Sequence, residues 1–226
     1  MPRTLLLDLD GTLVDTVPDL AAALNRLMRG RGLAPFTHAE TASMVGDGVA
    51  VLVARAFAAR GAAADAAAVT DFSADYTAHV ADESRVYPGV PAALRGLAAE
   101  GWRLAVCTNK PEAAARLLLT ALDLAPLLCA VGGGDSFPVR KPDPAHLLAT
   151  LAQAGGEAGR AVMAGDHAND VTAARAAGMP GIFAAWGYGT PAMAAGATAV
   201  AATPADLAAI ARRLLPANLS ASSDHA

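Results

Sequence analysis

The chain has 226 residues, 54% of them hydrophobic and 17% charged, with a formal net charge of −4; this length and composition can bury a sizeable core. Only 4% of the residues are aromatic and the basic residues are scattered, which argues against a nucleic-acid partner. No uncharged apolar run reaches membrane-spanning length, and no signal peptide precedes the first predicted strand, so we expect a soluble cytoplasmic protein without a membrane partner.

The first predicted element is a hydrophobic strand, Arg3–Asp10, which ends in two aspartates and a Gly-Thr pair. Residues i and i+2 of a strand point to the same side, so Asp8 and Asp10 would share one small space. Two carboxylates placed together are unfavourable unless a cation lies between them or one of them holds a proton. The pattern therefore predicts a metal site, an acid/base site, or both.

Residues 15–85 contain no convincing strand. Helical patterns cover Pro18–Arg29, Gly48–Arg60 and Ala64–His79. We interpret this stretch as a helical cap domain, inserted after the first strand of a core formed by residues 1–14 and 86–226.

Short apolar runs then alternate with amphipathic stretches bounded by Gly or Pro. The predicted strands are Arg103–Thr108, Leu128–Gly133, Ala161–Asp166, Gly181–Ala185 and a weaker one at Thr198–Ala201. The predicted helices are Gly89–Glu100, Pro111–Leu122, Pro144–Gln153 and Ala168–Ala177. This alternation predicts an α/β fold with a Rossmann-like parallel sheet core, in which active groups gather at the carboxyl ends of the strands.

The sequence also predicts whether four further residues are buried, lie at the surface or cap a helix. Cys107 and Cys129 lie in hydrophobic segments, so we expect buried, reduced thiols. His146 has no metal-ligand spacing to other histidines, and we expect a surface or cap role for it. Asp143 precedes Pro144 and is expected to cap a helix. The small, polar residues 218–226 are expected to fray.

The residues at the predicted strand ends suit a dianionic phosphoryl group handled with a hard divalent cation. Asp8 and Asp166 can supply the oxygen ligands that Mg²⁺ prefers, with Asp170 as a direct or indirect support. A carboxylate can also act as a nucleophile, and a second one, Asp10, can protonate a leaving alkoxide and then activate water. Three further groups can bind and neutralise the phosphoryl oxygens: Thr108, Asn109 and Lys141.

Four ordered motifs, Asp8–Thr12, Thr108-Asn109, Lys141-Pro142 and Gly165–Asp170, resemble those of the haloacid dehalogenase-like hydrolases. The resemblance spans the chain and implies a Mg²⁺-dependent phosphatase with an aspartyl-phosphate intermediate. It implies that Asp8 is the nucleophile and Asp10 the general acid/base. It also implies that Mg²⁺ is held by the Asp8 carboxylate, the Asp10 backbone carbonyl and Asp166. One departure is His167, where many relatives carry a small hydroxylated residue; we expect it to alter local hydrogen bonding.

Within that family, several local segments are similar to those of bacterial phosphoglycolate phosphatases, which implies 2-phosphoglycolate as the substrate. The similar segments are Asp15–Leu20, Gly46–Gly48, Gly132–Ser136 and Gly187–Gly189. The cap segment, Gly46, Asp47 and Gly48, is assigned to substrate specificity, although Asp47 is equally interpreted as a turn residue. A sugar phosphate such as N-acetylmuramic acid 6-phosphate, another small phosphomonoester, and a non-catalytic phospho-ligand binder remain alternatives. Both a monomer and a homodimer are compatible with the sequence.

Overall fold

The computed structural model describes residues 2–217, so the predicted fraying of residues 218–226 lies outside the described part. The strands are β1 (Thr4–Leu7), β2 (Val14–Asp15), β3 (Arg85–Val86), β4 (Arg103–Cys107), β5 (Ala130–Gly132), β6 (Ala161–Gly165), β7 (Gly181–Ala184) and β8 (Ala199–Ala201). The α-helices are α1 (Val17–Gly30), α2 (His38–Ala42), α3 (Val49–Ala59), α4 (Ala66–Ala78), α5 (Val90–Ala99), α6 (Glu112–Ala121), α7 (Pro144–Gln153), α8 (Ala168–Ala176) and α9 (Pro204–Leu214).

Six strands form one parallel sheet in the order β5-β4-β1-β6-β7-β8. Strand β1 lies near the middle, and its residues Leu5, Leu6 and Leu7 are fully buried. A continuous apolar run is typical of a parallel strand covered by helices on both faces. The predicted α/β fold is therefore confirmed, and the carboxyl ends of β4, β1 and β6 lie side by side.

The predicted elements agree with the observed ones to within one or two residues at most ends. Helix α7 spans Pro144–Gln153 as predicted, and the Asp143 carboxylate caps it by accepting a hydrogen bond from the Ala145 N–H. Two helices, α2 and α9, and the two-residue strands β2 and β3 were not predicted. Helix α2 and the two strands are too short to show a period, whereas α9 has an amphipathic pattern that could have predicted it. Helix α9 has a clear start signal in Thr203, whose hydroxyl accepts from the Asp206 N–H.

Helices α1–α4 form a helical unit between β2 and β3, which pair antiparallel. The unit has its own buried side chains, including Phe57, Phe72 and Met28. Asp19 in α1 is buried and accepts hydrogen bonds from the Ser84 N–H and hydroxyl at 2.8 and 2.6 Å. This contact joins the first helix of the unit to the segment that follows its last helix. The two chain segments that connect the helical unit to the sheet are therefore held side by side.

Two predictions about single residues are wrong. Cys129 is exposed rather than buried, because it precedes β5 at the edge of the sheet, where one side is open. His146 is fully buried rather than on the surface or the helical unit, because it lies on the face of α7 that packs on the sheet, beside Leu147 and Thr150. Cys107 is buried as predicted, and burial raises its pKa to about 12. Between residues 2 and 217, the helices are all too short or too polar to cross a bilayer.

Candidate active site

Three carboxylates meet at the carboxyl edge of the sheet. Asp8 follows β1, Asp166 follows β6, and Asp170 lies in the first turn of α8. All three are buried, and one oxygen from each lies within 4.8 Å of the others. Burial, then the neighbouring Asp8 and Asp170, raises the pKa of Asp166 to about 7. Three carboxylates so close are unfavourable without positive charge, and hard oxygen donors of this kind fit a Mg²⁺ ion.

Asp166 is held by residues from two other loops. Its Oδ1 accepts a hydrogen bond from the Thr12 hydroxyl, and its Oδ2 accepts one from the Tyr188 N–H at 2.7 Å. Gly11 and Gly187 approach so closely that a methyl group on either would collide with the Asp166 side chain. The glycines of both loops are therefore required by this packing, and they fix the orientation of the carboxylate.

Asp170 has both oxygens occupied within the protein. Oδ1 accepts from Lys141 Nζ at 2.6 Å, and Oδ2 accepts from the His167 N–H at 3.0 Å. The His167 ring in turn accepts from the Asn169 N–H through Nδ1. Asp170 is therefore anchored through both oxygens, as Asp166 is, and it lies within reach of the same ion as Asp8 and Asp166.

The chain has only two lysines, Lys110 and Lys141, and each forms an ion pair with one aspartate of the first motif. Lys141 Nζ lies 2.9 Å from Asp8 Oδ1, and Lys110 Nζ lies 2.9 Å from Asp10 Oδ1. Both lysines are buried. Burial alone would lower the pKa of each ammonium, but the adjacent carboxylates raise it. Both side chains are therefore held as cations.

Lys110 was not predicted as a site residue. Its signal in the sequence was the position directly after the Thr108-Asn109 motif. A lysine in such a loop more often faces solvent, and only the structure shows that this one turns inward. Its second contact is the Tyr76 hydroxyl on α4 of the helical unit, at 2.6 Å.

Thr108 and Asn109 follow β4 and are both buried. The Thr108 hydroxyl accepts from the Lys110 N–H at 3.2 Å. The Asn109 side-chain amide donates to the Lys141 carbonyl and to the Gly46 carbonyl, both at 2.9 Å. The amide hydrogens of Asn109 are therefore engaged with protein carbonyls, and the side chain joins two loops of the site.

The loop before α3 brings the helical unit onto the sheet edge. The Gly46 carbonyl accepts from Asn109, and Asp47 Oδ1 accepts from Asn169 Nδ2 at 2.7 Å. Asp47 Oδ2 also pairs with Arg55 at 2.5 Å. Burial opposes ionisation of Asp47, but these two partners lower its pKa. Gly46 lies against the His167 ring, and a methyl group on Gly46 would come within 2.6 Å of it.

His146 supports the loop that carries Lys141. Its Nδ1 accepts a hydrogen bond from the Lys141 N–H at 3.2 Å. Burial, then the Lys141 charge, lowers the pKa of His146 to about 4. The ring is therefore neutral at physiological pH, which leaves Nδ1 free to accept this bond.

Two cavities meet at Asp8 and Asp10. The smaller, about 40 Å³, lies under the helical unit and is lined by Leu20, Val45, Gly46, Gly48, Val49, Leu52, Tyr76, Thr108, Asn109 and Lys110 besides the two aspartates. The larger, about 420 Å³, lies on the other side of the Gly46 loop and includes Asp166, His167, Tyr188 and Met193. The two aspartates therefore face both a narrow pocket and a wider opening.

A family model, described as a haloacid dehalogenase-like hydrolase, matches residues 2–178. A phosphoglycolate phosphatase of Rhodospirillum rubrum is 47% identical over 209 residues, which cover 88% of this chain and 87% of the relative. One of Caulobacter vibrioides is 46% identical over 189 residues, covering 82% and 80%. The crystal structure of a predicted phosphoglycolate phosphatase from Haemophilus somnus superposes with a TM-score of 0.85 at 30% identity, covering 92% of this chain and 97% of the other.

The chain therefore belongs to the haloacid dehalogenase-like hydrolases. It is an enzyme of this family, and the resemblance inferred from its four motifs is confirmed.

Proposed function

We propose that this enzyme hydrolyses phosphomonoesters with the help of Mg²⁺, through an aspartyl-phosphate on Asp8, and that its substrate is 2-phosphoglycolate. The observation that carries the proposal is the pairing of Asp8 with Lys141 beside the Asp8–Asp166–Asp170 cluster. The relatives named phosphoglycolate phosphatase support the choice of substrate. Helices α1–α4 serve as the cap, and the described residues before and after them, 2–14 and 86–217, form the core.

The first step uses Asp8 as a carboxylate and Asp10 as a carboxylic acid whose proton is on Oδ2, because Oδ1 accepts from Lys110. An Asp8 carboxylate oxygen attacks phosphorus, the bond between phosphorus and the ester oxygen breaks, and the leaving alkoxide takes a proton from the Asp10 carboxyl. In the second step Asp10 accepts a proton from water, the water oxygen attacks phosphorus, and the bond to Asp8 breaks. The products are an alcohol and inorganic phosphate, and both aspartates return to their starting states.

Asp8, Asp166 and the Asp10 carbonyl would hold Mg²⁺, with Asp170 acting through Lys141 and His167. When bound, the ion would supply positive charge to the phosphoryl oxygens and to the nucleophile. Lys141 provides a second fixed charge at Asp8, and the buried Thr108 hydroxyl offers a hydrogen bond to the phosphoryl group. Asn109 would bind the phosphoryl group through its backbone N–H, because its side-chain amide donates to the Gly46 and Lys141 carbonyls.

The narrow cavity favours a small leaving group. A water molecule needs roughly 10–15 Å³ of such space, so about 40 Å³ admits only a few non-hydrogen atoms. The wider cavity of about 420 Å³ favours a second candidate, a sugar phosphate whose ring lies outside the Gly46 loop. In this proposal the partner of the enzyme is a small phosphorylated metabolite in the cytoplasm. The protein works as a monomer or homodimer, without nucleic acid or membrane.

A phosphate-release screen with Mg²⁺ tests the proposal. We expect 2-phosphoglycolate to lead other small phosphomonoesters in kcat/KM by about a hundredfold, or about 2.7 kcal/mol of barrier. If a sugar phosphate had the highest kcat/KM, it would take the place of 2-phosphoglycolate as the proposed substrate, and the proposed mechanism would be unchanged. Absence of turnover on every ester, together with binding that survives Asp10→Asn, would instead identify a phospho-ligand binder.

A further inference from the structure

The two aspartate–lysine pairs of the site differ in what holds the lysine. Lys141 Nζ contacts Asp8 at 2.9 Å and Asp170 at 2.6 Å, and all three residues belong to the core. Lys110 Nζ contacts Asp10 at 2.9 Å, but its second partner is the Tyr76 hydroxyl at 2.6 Å. Tyr76 lies on α4 of the cap. The nucleophile is therefore anchored by the core alone, whereas the acid/base is anchored partly by the cap.

The surroundings of Lys110 make the Tyr76 contact important for it. The lysine side chain is 3% exposed, and the cavity wall beside it is formed by apolar cap residues such as Leu52 and Val49. A buried ammonium must keep its hydrogen-bond partners, because an unpaired charged N–H is strongly unfavourable in apolar surroundings. When the cap docks, the Tyr76 oxygen supplies one of these partners.

Tyr76 is suited to act as a neutral acceptor. Burial raises the pKa of its phenol to about 12, so the hydroxyl keeps its proton at physiological pH. Its ring stacks in parallel on Phe72, with 6.0 Å between the ring centroids. Because Phe72 and Tyr76 are both buried in α4, the hydroxyl is held on a rigid part of the cap.

We propose that Lys110 is a positioning residue for Asp10, and that Tyr76 couples docking of the cap to the placement of this general acid/base. The inference rests on the proposed function. With the cap docked, Tyr76 holds Lys110, and Lys110 holds Asp10 Oδ1, so Oδ2 is the oxygen that faces the ester. With the cap away, Lys110 loses an acceptor and Asp10 loses its fixed orientation.

The coupling acts on one bond-breaking event. An alkyl ester leaves as an alkoxide, which needs the proton from Asp10 as the phosphorus–oxygen bond breaks. A p-nitrophenyl ester leaves as a stable anion and needs no proton. The quantity kcat/KM covers the steps up to this departure, so the ratio of its values for an alkyl and an aryl phosphate reports how well Asp10 is placed.

The test is Tyr76→Phe, which removes one hydroxyl and keeps the ring stack. We expect kcat/KM for the alkyl phosphate that leads the screen to fall about ten- to a hundredfold, part of the 10²–10⁴ that general acid catalysis supplies. We expect p-nitrophenyl phosphate to lose less than about threefold under the same conditions. Lys110→Met should change the ratio in the same direction and further.

Phe57→Leu is the matched control, because it loosens the buried packing of the cap outside the Phe72–Tyr76 ring pair and removes no polar contact. We expect it to leave the alkyl-to-aryl ratio at the wild-type value. If kcat/KM of Tyr76→Phe falls equally on both substrates, or on neither, the coupling is overturned. The proposed function still stands in that case, provided that the wild-type enzyme turns over the alkyl phosphate. Absence of wild-type turnover on both substrates removes the proposed function, and the inference with it.

Discussion

Thr12 and Asp166 are joined by two hydrogen bonds. The Thr12 hydroxyl donates to Asp166 Oδ1 at 2.8 Å and accepts from the Asp166 backbone N–H at 3.1 Å. Both residues are buried, and they come from the first and fourth motifs, which are distant in the chain. One hydroxyl therefore fixes both the backbone and the carboxylate of a proposed Mg²⁺ ligand.

Thr12→Val should weaken Mg²⁺ binding by about ten- to a hundredfold, the usual effect of removing a group that orients a metal ligand. Valine keeps the shape but leaves the Asp166 N–H without its acceptor. Isothermal titration with Mg²⁺ measures the change, and Thr12→Ser, which keeps the hydroxyl, should bind within about threefold of wild type. Equal affinity in the valine variant would contradict this orienting role.

Asp8→Asn should abolish turnover while the protein stays folded, since the swap is nearly isosteric. Amide nitrogen and oxygen cannot form the acyl phosphate that a carboxylate can. Phosphate release gives the rate, and intact-mass analysis of acid-quenched protein should detect one added phosphoryl group in the wild type alone. Residual activity within tenfold of wild type would remove Asp8 from the nucleophile role.

Lys141→Ala should lower kcat by far more than tenfold, because the charge beside Asp8 and the phosphoryl group is lost. The Asp8 and Asp170 carboxylates would then face each other without their common partner. Steady-state kinetics with saturating Mg²⁺ checks this expectation. A loss below about tenfold, or about 1.4 kcal/mol, would show that the charge balance comes from elsewhere.

Mg²⁺ binding should strengthen as the pH rises to about 7. The pKa of Asp166 is raised to about 7 from 3.8, so between these values the metal-free folded protein holds a proton that the unfolded chain releases. The free energy of unfolding of the metal-free protein therefore falls as pH rises through this window, and Mg²⁺ must displace the proton at low pH.

Thermal unfolding with and without Mg²⁺ tests this pH dependence. The Tm increase produced by Mg²⁺ should be larger at pH 8 than at pH 5, and Asp166→Asn should remove most of the increase at both. A Tm increase that is the same at both pH values would show that Asp166 binds no proton in this range.

Asp47→Ala should raise KM about tenfold and change kcat less. A change of about tenfold lies within the usual range of coupling free energies between two parts of a protein. The change removes the contacts of Asp47 with Asn169 and Arg55, so the cap loop docks less often. Asp71→Ala is a matched control, because Asp71 also pairs with an arginine of the cap but is exposed. The expected control value is the wild-type KM; an equal rise in both variants would point to general loosening of the cap.

The sheet and the edge that carries the site could be predicted from the sequence, because apolar runs define parallel strands well. Asp8, Thr108 and Asp166 each come one residue after a strand, so their meeting follows from the topology alone. Their roles were carried over from the family resemblance. The orientation of Asp10 toward a lysine does not follow from strand periodicity, because Asp10 lies in the turn beyond β1.

Lys110, Tyr76 and His146 could not be predicted as neighbours of the site. Lys110 meets Tyr76 across 34 residues, and this contact depends on how the cap helices pack on the sheet. The prediction for His146 was wrong because periodicity shows only that α7 has an apolar face. It does not show that a histidine on that face has a buried hydrogen-bond partner. The exposure of Cys129 follows from strand order, which composition does not determine.

The lysine content of the chain affects how it can be handled chemically. Of its 17 basic residues only two are lysines, and both ε-amines are buried in ion pairs at the site. Reagents that acylate lysine therefore find no exposed lysine side chain in the folded enzyme. Acylation of either lysine would report that the cap or the core has opened, which makes the two residues natural probes of opening.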